Sequence, residues 1–320
     1  MRAWQYWTEN KLQILRDYVP AFNTASKRST DRLYFDLMAG EPMNVSAVTG
    51  AHIDGSARIA MDAEPGFTRL FFGEKDARRE TELRQDLTAR YPGDDRWKLY
   101  QGDSNVTVHQ MLADASPWRW APTFAFVDQQ AAESTWGTLT ALAGFRKGQI
   151  KAELWVLTSP AMIARGVKGT RGSEFEARVT AFYGTEDWKR IAAARDEGIL
   201  TPEEYRDEMV NLLRWRLESD LGYAITFRIP MRMTNGTALY DMVFATDHPV
   251  GEKIMKSLYS KAAKREPLMQ QEAVALRMRV RDSQATQPAL FDASAEQMPS
   301  KNLGVWEPTS SWNPATRPWW

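Results

Sequence analysis

The chain has no cysteine, which removes disulfides, thiolate metal sites, a cysteine nucleophile and a protein-ligated iron-sulfur cluster of the usual kind. That absence fits a cytoplasmic protein. Histidine is nearly as scarce, with only His52, His109 and His248, and no two of them have the one-turn spacing of a paired metal-ligand motif. Charge of neither sign is in excess: 41 basic residues balance 41 acidic ones. No overall field therefore recruits nucleic acid or a membrane surface, and any such contact has to come from a local patch. Long hydrophobic runs are missing as well. No stretch approaches the run of about 18 apolar residues that reads as a membrane span, and the opening Met1-Arg2-Ala3-Trp4-Gln5-Tyr6-Trp7 has no apolar core. The expectation is a soluble, unexported protein.

What is present is a chain of 320 residues, long enough to bury a substantial core in one large domain or two small ones. Its organising stretch is Arg32-Leu33-Tyr34-Phe35-Asp36-Leu37-Met38-Ala39-Gly40. A short, nearly continuous apolar run is the mark of a buried parallel strand, and ligands of open α/β sheets lie beyond the carboxyl ends of such strands. Asp36 and Gly40 stand at that end. A glycine there lets backbone approach a ligand closely, and a carboxylate accepts hydrogen bonds from an amine or hydroxyl; an ordinary strand and turn is the plainer alternative.

The same design recurs. A second apolar run, Thr68 to Gly73, ends in Glu74; a third, Trp97 to Tyr100, leads into Gly102-Asp103-Ser104-Asn105; a fourth, Thr123 to Val127, ends in Asp128. Helical segments separate them, among them a charged helix over 77–91 and one over about 133–144. Connections of that length impose parallel strands with right-handed crossovers, which brings Asp36, Glu74, Asp103 and Asp128 to one edge of a sheet. Glu74 suits the carboxylate that holds ribose hydroxyls in dinucleotide-binding folds, although it stands 34 residues from Gly40 where about 20 is typical.

The remainder extends the pattern. An amino-terminal helix places Leu12, Leu15, Val19 and Phe22 on one face, and residues 44–51 read as an excursion before a helix that Ser56 caps. After the strand Ala152 to Thr158 come helices over 175–182, 188–195 and 202–222, the last capped by Thr201. Strands 223–229 and 239–246 flank a hairpin signal at Asn235-Gly236. A helix over 249–265 carries Lys253, Lys256, Lys261, Lys264 and Arg265, a basic face suited to phosphates or simply to solvent. From about 281 the composition turns to Ser, Gln, Thr, Pro and Asn with scattered tryptophans, the signature of a disordered tail. Within it Gln287, Leu290 and Phe291 are spaced like the short peptide by which bacterial replication and repair proteins bind the sliding clamp. Trp306, Trp312, Trp319 and Trp320 read as a partner anchor or as a strap folded back on the domain.

Taken together, Asp36-Leu37-Met38-Ala39-Gly40, Gly55-Ser56, Gly102-Asp103-Ser104-Asn105, Phe126-Val127-Asp128 and Phe244-Ala245-Thr246-Asp247-His248-Pro249-Val250-Gly251 resemble the three-Cys-motif partner proteins over roughly residues 4–262. That resemblance implies a radical-type partner bearing three cysteines. The family is similar to class I S-adenosylmethionine-dependent methyltransferases, which implies a Rossmann-like α/β domain over 1–280, with a mostly parallel sheet, helices on both faces and a helix-rich later part, and a flexible partner-binding tail over 281–320. It also implies S-adenosylmethionine as cofactor, with Asp36 and Gly40 flanking its methionine moiety, Glu74 on the ribose, Asp103 and Asn105 on the adenine, and Asp128 as the methyl-acceptor residue. In two places the chain departs from the methyltransferase pattern: Gly40-Glu41-Pro42 replaces Gly-x-Gly, and Asp128-Gln129-Gln130-Ala131 lacks the prolines and aromatic that hold a flipped base. Methyl transfer in nucleic-acid repair or modification is one expectation, and a catalytically silent scaffold joining the partner to DNA or the clamp is the other. A metal-dependent nuclease ranks third.

Overall fold

The computed structural model describes residues 3–284 and 304–320. In chain order the elements are β1 (Ala3–Trp4), α1 (Tyr6–Ala25), β2 (Leu33–Asp36), β3 (Met43–Ser46), β4 (His52–Asp54), α2 (Ser56–Met61), β5 (Arg69–Glu74), α3 (Ala77–Arg90), β6 (Trp97–Gln101), α4 (Ser104–Asp114), β7 (Thr123–Val127) and α5 (Trp136–Ala143). They continue with β8 (Glu153–Thr158), α6 (Pro160–Val167), α7 (Gly172–Tyr183), α8 (Trp188–Asp196), α9 (Pro202–Ser219), β9 (Ile225–Arg232), β10 (Ala238–Thr246) and α10 (Pro249–Gln284).

Seven strands form the main sheet in the order β6-β5-β2-β7-β8-β10-β9. The first five are parallel, and β10 runs antiparallel to both β8 and β9. Helices cover both faces, so the expected Rossmann-like, mostly parallel architecture is borne out. Every residue of β2, β7 and β8 is buried, which is why these strands read as unbroken apolar runs. Alternate side chains feed two cores. Phe35, Phe71, Val127 and Val156 pack against helices α4 to α9, whereas Tyr34, Phe72, Phe124 and Trp155 meet α1, α2, α3 and α10. Burying about 150–250 Å² each, such aromatics dominate the packing energy.

The local signals at Thr201 and Asn235-Gly236 hold. Thr201 and Glu204 form a reciprocal capping box at the start of α9, and Gly236 turns between β9 and β10 with φ 79°. Elsewhere the structure departs from the sequence reading. The excursion over 44–51 contains strand structure: β3 pairs in parallel with β1 and antiparallel with β4. Segments of two to four residues carry too little periodicity to announce themselves. Gly55, not Ser56, occupies the N-cap of α2, with no side-chain cap. Helix α10 continues to Gln284, through Pro267.

The largest departure concerns the tail. Gln287, Leu290 and Phe291 lie outside the described residues, but 304–320 is a strap docked on the domain. Trp306 donates from Nε1 to the Arg228 carbonyl at 2.8 Å and meets Phe227 and Tyr259 edge-on at 5.9 and 5.3 Å. The Trp312 backbone exchanges two hydrogen bonds with the Asn211 side chain, both at 2.9 Å, while its indole donates to Glu208 at 3.0 Å. Buried Arg214 donates to Thr226 Oγ1 at 2.9 Å and to Thr309. Trp319 and Trp320 pack, half-buried, against the core that α4 to α9 share. A composition rich in polar residues suggested disorder, but the indoles supply the apolar area and polar groups of α9 receive the backbone. Trp306→Ala should therefore lower unfolding free energy by about 2–4 kcal/mol, read as a shift of the urea midpoint. An unchanged midpoint would mean that the strap contributes nothing to stability.

Candidate functional site

The chain runs from β2 outward to β5 and β6, then returns to β7 and β8 on the other side, so the sheet's topological switch lies between β2 and β7. At such a point the connections leave in opposite directions and open a crevice. Asp36 closes β2, Glu74 closes β5, Asp103 follows β6 and Asp128 follows β7. All four stand at the carboxyl ends of their strands.

Each carboxylate has different partners. Glu74 fastens the edge together: Oε2 accepts from Gly40 N–H at 3.0 Å and Oε1 from Asp76 N–H at 2.8 Å. Gly40 has φ 65°, a left-handed conformation that glycine adopts without a Cβ penalty. Gly73 permits the same turn to close, because a Cβ there would lie 2.9 Å from the Leu37 carbonyl oxygen. Asp103 caps α4 through Asn105 N–H at 3.0 Å and pairs with Lys75 at 2.8 Å. The bond from Lys75 and that from Asn105 hold its carboxyl below the usual range. Asn105 is fully engaged, donating to Asp103 and to the Glu133 carbonyl while accepting from Thr135 N–H and the Thr138 hydroxyl. It shapes the wall of a cleft of about 390 Å³ that Lys75, Asp103, Glu133, Thr135 and Arg178 also line. Arg178 reaches down from α7 to Glu133 at 3.5 Å.

On the other side of the switch, Asp36 is completely buried. It accepts from Met38 N–H at 3.2 Å and, weakly, from the Tyr34 hydroxyl at 3.4 Å, and the Ser56 hydroxyl also bears on it. Burial, reinforced by the neighbouring charge of Asp128, raises its pKa to about 7. Glu41, in the turn beyond Gly40, carries a buried Oε2 without a hydrogen-bond partner among the described residues. Asp128 itself is ion-paired with Lys11 of α1, whose ammonium also lies 5.7 Å from the Tyr240 ring centre. Gln129 turns inward, donating to the Leu157 carbonyl at 2.9 Å and accepting from Ser134 N–H at 2.9 Å.

Thus Asp36, Gly40, Glu74, Asp103, Asn105 and Asp128 share one edge. Trp319 and Trp320 pack away from that edge, with Arg190 of α8 5.4 Å from the Trp320 ring centre, and Gln287, Leu290 and Phe291 fall outside the described residues. Sequence reasoning missed Lys11, Arg178 and the orphaned Glu41 oxygen. Lys11 did leave a trace, because it stands on the apolar face of α1, one turn before Leu15 and two before Tyr18. Among the described residues no three His, Cys, Asp or Glu side chains cluster as a metal site, and no helix is long and apolar enough to cross a membrane.

No family model and no curated protein matches the chain. Solved structures do. Spermidine synthase from Thermotoga maritima is similar at 11% identity over 80% of this chain and 71% of its own, with a TM-score of 0.41. The caffeoyl-CoA O-methyltransferase assigned in Staphylococcus aureus gives 10% identity, 72% and 82% coverage and a TM-score of 0.36. TYW2 of M. jannaschii, determined in complex with AdoMet, gives 9%, 71%, 75% and 0.35. At these levels the fold rests on the strand order and register above.

The buried Asp36 has a measurable signature. Its folded pKa of about 7 exceeds the unfolded value of about 3.9, so between those values the native state holds a proton that the unfolded state releases, and stability falls as pH rises. Asp36→Asn should match the wild type below about pH 4 and gain on it up to pH 7, by on the order of 3–4 kcal/mol. Urea unfolding at pH 4, 5.5 and 8 measures this; a constant difference would rule out the buried titration.

Proposed function

We propose that the chain is an S-adenosylmethionine-dependent methyltransferase whose cofactor lies across the carboxyl edge of β2, β5 and β6. The observation that carries this reading is electrostatic. At the switch point, Asp36 is buried with neutral partners and Glu41 has an orphaned buried oxygen. A buried carboxylate without a cation is costly, and a ligand carrying positive charge relieves that cost. The residues fit such a ligand, since acids face its cationic end while the cleft beside Asp103 and Asn105 offers room for a base.

S-adenosylmethionine, when bound, supplies a methyl group already activated on a sulfonium. The protein's part is binding and alignment, which can account for most of the rate in a transfer of this kind. Asp36 and Glu41 would balance the ligand's positive charge, and the positive-φ turn at Gly40 would bring backbone close to it. Glu74 uses one lone pair of each oxygen for backbone amides, and its remaining lone pairs would accept ribose hydroxyls. Asp103, held ionised by Lys75, would accept from the base. Asp128 would orient an acceptor amine, with Lys11 yielding one position on its carboxylate. Helix α7, through Arg178, covers the base-side cleft and would exclude water there.

The Lys11 pairing favours a second reading. With its acceptor carboxylate already neutralised and Gln129 turned inward, the domain would bind the cofactor and act as a scaffold without transfer. The finer assignment, to a three-Cys-motif partner protein acting with a radical-type enzyme on nucleic acid, rests on the order of the motifs quoted above. Clamp binding through Gln287, Leu290 and Phe291 rests on that peptide's spacing alone.

Calorimetric titration with S-adenosylmethionine and S-adenosylhomocysteine tests the cofactor site. Saturable binding of both is expected, tightening up to about tenfold from pH 6 to 8 as Asp36 ionises, because one pKa unit of linkage corresponds to a tenfold change. Asp103→Ala and Glu41→Gln should each weaken it by about tenfold, the cost of one charged hydrogen bond. Asp128→Asn should preserve binding and abolish transfer if the domain is catalytic. Absence of binding by the wild type would refute the cofactor reading.

A further inference from the structure

At the opposite end of the sheet, where β7 and β8 begin, lies a second cleft of about 770 Å³. That is within the usual range of about 300–1,000 Å³ for small-molecule sites. Its walls come from the end of α1, the segments preceding β7 and β8, and the start of α10. Three large apolar side chains on its lining stay open to solvent: Trp120 is 48% exposed, Val250 43% and Ile150 37%. Of the eight large hydrophobic residues exposed in the described chain, three line this one cleft, and their convergence marks a surface suited to a flat apolar group.

The charged lining is mainly cationic. The Arg146 guanidinium is held by two backbone carbonyls, that of Trp120 at 3.2 Å and that of Lys151 at 3.4 Å. Among the described residues neither Arg146 nor Lys27 nor Arg28 forms an ion pair. A guanidinium held on the backbone carbonyl of an exposed tryptophan puts positive charge and an aromatic ring in one cleft, the two features that bind nucleic-acid strands through phosphate contacts and base stacking. The acid at the floor, Glu153, receives hydrogen bonds from Tyr18 and from Thr246, the latter at 2.7 Å. Its burial raises its pKa to about 7, so it is largely uncharged in mildly acidic solution and does little to repel an anion.

We propose that this cleft binds a nucleotide unit, with its base against Trp120 and Ile150 and its phosphate at Arg146, Lys27 and Arg28. The site is separate from the carboxyl edge and does not depend on the cofactor reading. Free mononucleotide and single-stranded nucleic acid share this chemistry, and two probes distinguish them: UMP, followed by calorimetry, and a fluorescein-labelled eight-residue oligouridylate, followed by anisotropy.

Saturable binding of at least one probe to the full chain is expected. UMP binding as tight as that of the oligomer would identify a mononucleotide site, and much tighter oligomer binding a strand site. Trp120→Ala should weaken binding about tenfold, in line with the loss of one base-aromatic stack. The paired change Lys27→Gln with Arg28→Gln, at two exposed positions that do not threaten the fold, should also weaken it and flatten its salt dependence. Asp103→Ala, at the other edge, should leave it unchanged. The proposal is overturned if neither probe binds at millimolar concentration, if both lining variants bind like the wild type, or if Asp103→Ala alone removes binding.

Discussion

The position of β2 between two parallel neighbours that lead away in opposite directions is the constraint on which the rest depends. Pairing with β5 on one side and β7 on the other satisfies its backbone and buries all four of its side chains. No covering connection can then cross its carboxyl end, so a crevice opens where Asp36 emerges. The same geometry makes Asp36 expensive. Its carboxyl is fully buried, and its neighbour across the switch, Asp128, is another acid. The chain answers that crowding unevenly: Lys11 neutralises Asp128, Lys75 neutralises Asp103, and backbone amides satisfy Glu74. Among the described residues, Asp36 and Glu41 pair with no cation. A buried acid without a counter-charge among the described residues is the feature on which the proposed ligand site rests.

Much of this arrangement was legible in the residues. Parallel strands buried on both faces must be continuous apolar runs, so Leu33–Phe35, Leu70–Phe72 and Phe124–Val127 could be recognised without ambiguity, and the acids that end them could be placed on one edge. The fold's hidden part was of two kinds. Short pairings such as β1 with β3 involve two to four residues and leave no period to read. Long-range polar contacts leave none either: nothing in the sequence near Asp128 indicates that its partner is Lys11, which lies 117 positions earlier. The strap could not be told from a partner anchor for a related reason. Trp306 and Trp312 dock on Arg228, Glu208 and Asn211, and a surface built from polar and charged residues of α9 and β9 does not look like a core when it is read in one dimension.

Helix α1 connects the two ends of the sheet. Lys11 reaches Asp128 beyond the end of β7, and Tyr18, on the same helical face seven residues later, reaches Glu153 at the start of β8. At 1.5 Å per residue these contacts are roughly 10 Å apart along the helix axis. One rigid element thus bears on a carboxylate at each end of adjacent strands. Its outer flank is held in turn by α10, where Arg265 donates to Asn10 at 2.7 Å. The seven-residue spacing of Lys11 and Tyr18, two turns on one face of α1, is what lets a single helix meet Asp128 beyond the carboxyl end of β7 and Glu153 at the amino end of β8.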